Sequence, residues 1–261
     1  MKPYVGVTGP SSNEEVRQIC EEFSSVGYTM ESDHLPMLGF LVSYKTLNGK
    51  ETKNLRYPLT KNIPGLLDKT NGQVFTMLHY NSRERNTLSD QINKLFEGIY
   101  KSGLCKALQL NIVWPNVDQI KRIKDKFPEM KIVFQASGSA MRKKSSQEVA
   151  EGIEAYGNSI DYVLIDPSGG SGRPFRLDNF LGTFREINST SPHLSLGFAG
   201  GFDGKNVSSR VKEIIDKTGS NSFSIDAEGG LRDKISEAYG NDLLNMKKVG
   251  DYLRSVSTVL K

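Results

Sequence analysis

The chain has 261 residues, 37% hydrophobic and 25% charged, with a mean hydropathy of -0.43; that profile belongs to an ordinary folding domain and excludes a disordered or fibrous polypeptide. Its 34 basic and 30 acidic residues leave a net charge of +4 spread along the sequence, so no concentrated field favours nucleic acid or an anionic membrane. The two cysteines, Cys20 and Cys105, are far apart, and no run of about 18 apolar residues occurs, so the expectation is a cytoplasmic protein without export or anchoring segments, disulfide framework or metal cluster.

The first strand is expected at residues 4–8, and a helix at 13–23 follows, with Val16, Ile19, Cys20 and Phe23 on one face. A second strand at 38–43 leads into a polar insertion at 44–55, centred on Asn48-Gly49 and read as a hairpin or long loop. Strands then alternate with helical stretches: strand 74–80 and helix 90–100, strand 107–112 and helix 117–127, strand 131–135 and helix 146–155, strand 162–166 and helix 177–187. A strand at 194–198, a helix at 206–217, a strand at 222–226 and a helix at 242–260 complete the chain.

Strands alternating with helices imply a parallel sheet with right-handed crossovers. An open doubly wound sheet normally opens with GxGxxG after its first strand, and Thr8-Gly9-Pro10-Ser11 lacks it. Eight units in a chain of this length, with no linker dividing it, predict a single (β/α)8 barrel domain spanning residues 1–261.

In such a barrel, functional groups stand at the C-terminal strand ends. The sixth strand ends in Asp166 and continues into Gly169-Gly170-Ser171-Gly172-Arg173; the seventh runs into Gly200-Gly201; the eighth carries Asp226 and Glu228, then Gly229-Gly230. Glycine-rich loops on three consecutive strand ends allow bare backbone amides to approach a ligand, and they suit phosphate. The expected partner is therefore a small phosphorylated metabolite, with Gly170, Gly172, Gly200, Gly201, Gly229 and Gly230 as candidate phosphate contacts. No cofactor is expected, for there is no dinucleotide fingerprint, Schiff-base motif or metal-ligand cluster.

These motifs resemble the phosphoribosylanthranilate isomerase family. Leu164-Ile165-Asp166 followed by Gly169-Gly170-Ser171-Gly172-Arg173-Pro174-Phe175 is similar to its sixth-strand motif, and Phe198-Ala199-Gly200-Gly201-Phe202 with Asn206-Val207 to its seventh. Val5-Gly6-Val7-Thr8-Gly9, Leu55-Arg56-Tyr57, Leu108-Gln109-Leu110-Asn111 and Ser224-Ile225-Asp226-Ala227-Glu228-Gly229-Gly230 occupy the remaining motif positions in order. The resemblance implies an Amadori-type aldose-ketose isomerisation in tryptophan biosynthesis, with Asp166 as the acid, Arg56 pairing a substrate carboxylate, and Asn111, Asp226 and Glu228 at the substrate.

Thr8 departs from this pattern, because the family places its catalytic cysteine there. A threonine hydroxyl is far less acidic than a thiol and needs a neighbouring base to act as one. Asp226 and Glu228, two apart on one strand and so facing the same way, are candidate substitutes, as is His79 in reserve; otherwise His79 is a hydrogen-bonded core residue. Glu228 would repel a phosphate dianion unless paired with a cation such as Arg173 or Arg232. Trp114 is a candidate for stacking on an aromatic substrate, or for packing. Two further readings stay open: a barrel diverged to another phosphorylated substrate, and a non-catalytic relative that binds a ligand or a partner through the 44–55 insertion.

Overall fold

The computed structural model describes residues 1–50, 52–166, 177–238 and 240–261. Eight parallel strands close into a barrel in sequence order: β1 (Tyr4–Thr8), β2 (Leu35–Ser43), β3 (Phe75–Asn81), β4 (Ala107–Leu110), β5 (Lys131–Ser137), β6 (Tyr162–Asp166), β7 (Ser195–Ala199) and β8 (Ser224–Ala227). β1 pairs with β8 through Val5–Ile225, Gly6–Asp226 and Val7–Ala227, which closes the ring. The expected eight-stranded (β/α)8 barrel is thus the observed fold.

Both faces of each strand are buried, and period two divides them into separate cores. Outward residues such as Val5, Val7, Leu38, Phe40, Leu108, Leu110, Ile132, Phe134, Val163 and Ile165 pack under the helices. Inward residues Tyr4, Met37, Met77, Ala107, Val133, Tyr162 and Leu164 form a second cluster that plugs the lumen. The helix after β1 (Asn13–Ser25) turns Val16, Ile19, Cys20 and Phe23 onto the barrel, and Ser12 and Glu15 close a capping box at its start. Such a cap is worth about 1 kcal/mol.

Two of the departures from expectation bear on the barrel mouth. The described part of the polar segment after β2 is loop and not hairpin, opened by a four-residue helix, Tyr44–Leu47, that Ser43 caps by accepting a hydrogen bond from the Thr46 amide. A 3-10 turn (Thr60–Asn62) and a helix (Ile63–Asp68), unforeseen in the sequence, then complete the connection to β3. Near the C-terminus the helix begins at Met246, capped by Asn245, and not at residue 242. Residues Asp242–Leu244 form strand β10, antiparallel to β9 (Arg232–Lys234). This ribbon lies over the end of β8, and the Leu55 amide donates to the Gly240 carbonyl at 2.9 Å, tying the β2 connection to it.

Candidate active site at the barrel mouth

Above the apolar plug the inward positions change character. Continuing the strands by two or four residues with the same parity gives Thr8, Asn81, Gln109, Asn111, Gln135, Ser137, Asp166, Asp226 and Glu228 in place of Met, Val and Tyr. All of these except Thr8 line one cavity of about 210 Å³, together with Arg56, Gly200, Gly201 and Gly229.

Asp226 lies across the first strand. The Thr8 hydroxyl donates to its Oδ1 at 2.9 Å, and a Cβ at Gly6 would sit 2.7 Å from the same oxygen, so Gly6 leaves the room that the carboxylate occupies. Burial pushes the Asp226 carboxyl up to about 7, and the Glu228 and Asp166 charges add to that rise, while the Thr8 hydrogen bond works against it. Asp166, also buried and two strands away at the end of β6, accepts a hydrogen bond from Gln135 Nε2 at 2.5 Å.

Gly39 opposite β1 matters for its missing side chain. A Cβ there would lie 2.5 Å from Thr8 Oγ1 and 2.6 Å from His79 Nε2, so the two side chains fill the space that any larger residue would take. His79 is 1% exposed and its Nε2 has no hydrogen-bond partner; burial pushes its pKa down to about 3, which keeps it neutral. It is therefore a core histidine, but not the hydrogen-bonded one expected.

Arg56 meets two carboxylates of its own chain. Its Nε and Nη2 donate to Asp242, at 2.9 and 2.5 Å, and its Nη1 donates to Glu228 Oε1 at 2.8 Å. Arg232 donates to Asp242 Oδ1 at 3.4 Å and to the Gly9 carbonyl at 2.8 Å. The cation hydrogen-bonded to Glu228 is thus Arg56 and not the Arg232 expected, Arg173 lying outside the described residues, and burial still raises the Glu228 pKa against both Arg56 and Arg232.

Asn111 accepts from Gln109 Nε2 at 3.0 Å and faces the cavity. Gly200 and Gly201 have φ of 114° and 65°, the left-handed region that glycine adopts without strain, and with Gly229 they bring backbone to the cavity wall. Gly230 serves packing instead: a Cβ there would lie 2.2 Å from the Phe202 carbonyl oxygen, so the loops after β7 and β8 touch through it. Gly170, Gly172 and Arg173 lie outside the described residues. Trp114 is not in the cavity wall; its indole donates to the Ala140 carbonyl at 2.9 Å and packs on Phe134 at 5.2 Å.

The sequence reading gave no role to Gln109, Gln135 or Asp242. The first two share inward parity with Asn111 and Ser137, so extending period-two counting to every strand end would have found them. Asp242 gave no local signal, for its partner Arg56 lies 186 residues away.

Fold and site together describe a (β/α)8 barrel with an acid- and amide-lined cavity at the C-terminal mouth. The structure is similar to phosphoribosyl anthranilate isomerase of Thermus thermophilus (12% identity, TM-score 0.62, covering 98% of this chain and 99% of that one). It is similar also to phosphoribosyl anthranilate isomerase in complex with reduced 1-(o-carboxyphenylamino)-1-deoxyribulose 5-phosphate (14%, 0.60, 98% and 100%), and to tryptophan synthase subunit alpha of Legionella pneumophila (12%, 0.58, 98% and 92%). At these identities the likeness shows the fold alone. No protein-family model matches the chain, and no curated protein matches its sequence. Among the described residues no helix is long and apolar enough to cross a membrane, and no group of three or more His, Cys, Asp or Glu could hold a metal.

Proposed function

We propose that the barrel mouth isomerises a phosphorylated N-glycosyl sugar derivative by general acid/base proton transfer, with Asp166 as the acid and Asp226 as the base that the cysteine supplies in the resembling family. The observation that carries this reading is the buried Asp226 carboxyl, poised near 7 and held by Thr8, facing the same cavity as Asp166. A base works best when its pKa lies near the operating pH.

In this scheme Asp166 gives its proton to the furanose ring oxygen, and the C1–O bond breaks toward that oxygen, leaving an iminium at C1. Asp226 then takes the C2 proton, and the C–H electron pair forms the C1–C2 double bond of an enolamine. Proton transfer from the C2 hydroxyl, with protonation at C1, yields the ketose. Thr8 serves as a positioning residue: its only hydroxyl proton points at Asp226 Oδ1, fixing which oxygen lone pair remains for substrate. Backbone amides near Gly200, Gly201 and Gly229 would receive the phosphate. The turn Gly229–Leu231 is a single 3-10 turn, so little helix dipole adds to them.

The test is turnover of N-(5-phosphoribosyl)aniline and N-(5-phosphoribosyl)anthranilate to their ketoses. Asp166→Asn and Asp226→Asn should each lower kcat about 10²- to 10⁴-fold, the usual contribution of a positioned proton carrier. In the wild type kcat/KM should fall as pH drops below about 7, because protonated Asp226 cannot accept a proton. Turnover insensitive to both substitutions would defeat the proposal.

A further inference from the structure

Two features of the cavity wall bear on which ligand it takes. The first is charge. Asp166, Asp226, Glu228 and Asp242 cluster here, and the two described arginines among them, Arg56 and Arg232, already meet Asp242, with Arg56 also held by Glu228. A ligand carboxylate arriving at Arg56 would be a third anion on one guanidinium, in a site where charges are poorly hydrated.

The second is an acceptor without a donor. Gln109 lines the cavity, is 2% exposed, and its Oε1 has no hydrogen-bond partner, whereas its Nε2 is engaged by Asn111 Oδ1 at 3.0 Å. A buried carbonyl oxygen left unpaired costs about 1–3 kcal/mol, which a donor on the ligand would recover.

From these we infer that the buried end of the ligand presents a hydrogen-bond donor, hydroxyl or amine, and no carboxylate. In substrate terms, this is a sugar phosphate carrying an amine whose substituent lacks the acid group that Arg56 would otherwise receive. The inference rests on the isomerase reading for the phosphosugar part and adds to it the class of the amine part. Gln109 then acts as a specificity-determining residue, and Glu228 as the group that keeps Arg56 occupied.

Calorimetry with two probes tests this on the full chain: reduced 1-(o-carboxyphenylamino)-1-deoxyribulose 5-phosphate and its phenylamino counterpart without the carboxylate. The wild type should bind the phenylamino probe at least tenfold more tightly. Gln109→Met, close in volume, should weaken that probe about five- to tenfold, the loss of one net hydrogen bond of about 1 kcal/mol. Glu228→Gln should narrow or reverse the preference by releasing one side of Arg56. Tighter binding of the carboxylated probe by the wild type, or a preference unmoved in Glu228→Gln, overturns the inference while leaving the isomerase reading intact. Binding of neither probe, nor of ribulose 5-phosphate, overturns both.

Discussion

The barrel lumen is one tube with two chemistries. Its N-terminal half is filled by Tyr4, Met37, Met77, Val133 and Tyr162, all packed together and excluding solvent. Two or four residues further along the same strands stand Thr8, Gly39, His79, Gln135 and Asp166, where Thr8 pairs with Asp226 and Gln135 with Asp166 while His79 Nε2 stays unpartnered. The same backbone parity serves both halves, so the strand geometry is fixed by the lower half and the upper half is free to carry unfavourable groups. Asp226, whose ionisation is opposed by burial, belongs to that second kind.

Substitutions can separate the halves. Asp226→Asn has the largest expected effect, loss of turnover, and it should not weaken the fold. In the wild type the carboxyl ionises in the unfolded chain near the ordinary aspartate value of 3.8 but in the folded chain only near 7, so stability falls as pH rises between those values and levels off above. The variant should lose this decline, as measured by denaturant unfolding at a series of pH values. Met77→Ala should do the reverse: a stability loss of about 2–5 kcal/mol from the cavity left in the plug, with kcat of the folded protein little changed. Gly39→Ala should fall between them. Its Cβ would press on Thr8 Oγ1 and His79 Nε2, costing about 1–3 kcal/mol and lowering kcat by dislodging Thr8 from Asp226, both readable on one purified sample.

Much of the lower half was legible in the sequence. β1 and β6 fall at the expected residues, 4–8 and 162–166, because short β-branched runs bounded by turn residues leave little choice of register. The helix Ile63–Asp68 was missed because six residues give too few turns for a periodic signal, and Pro64 and Gly65 resemble loop punctuation. Residues 242–244 read as helix because Leu243 and Leu244 continue the apolar spacing of the true helix; pairing with β9, a tertiary contact, decides otherwise. The upper half was legible as positions and not as partnerships. Asp166, Asp226 and Glu228 stand where the strand ends placed them, yet the occupation of Arg56 by Asp242 and Glu228 joins segments with no local pattern in common.

The account depends most on Asp226 accepting a proton at neutral pH. Carboxyl ¹³C NMR, assigned by difference against Asp226→Asn, would follow that one group through a pH titration. A midpoint near 7 is expected, moving higher in Thr8→Val as the hydroxyl that favours the charged form is removed. A midpoint below about 5, close to that of an ordinary aspartate, would refute the assignment of the base.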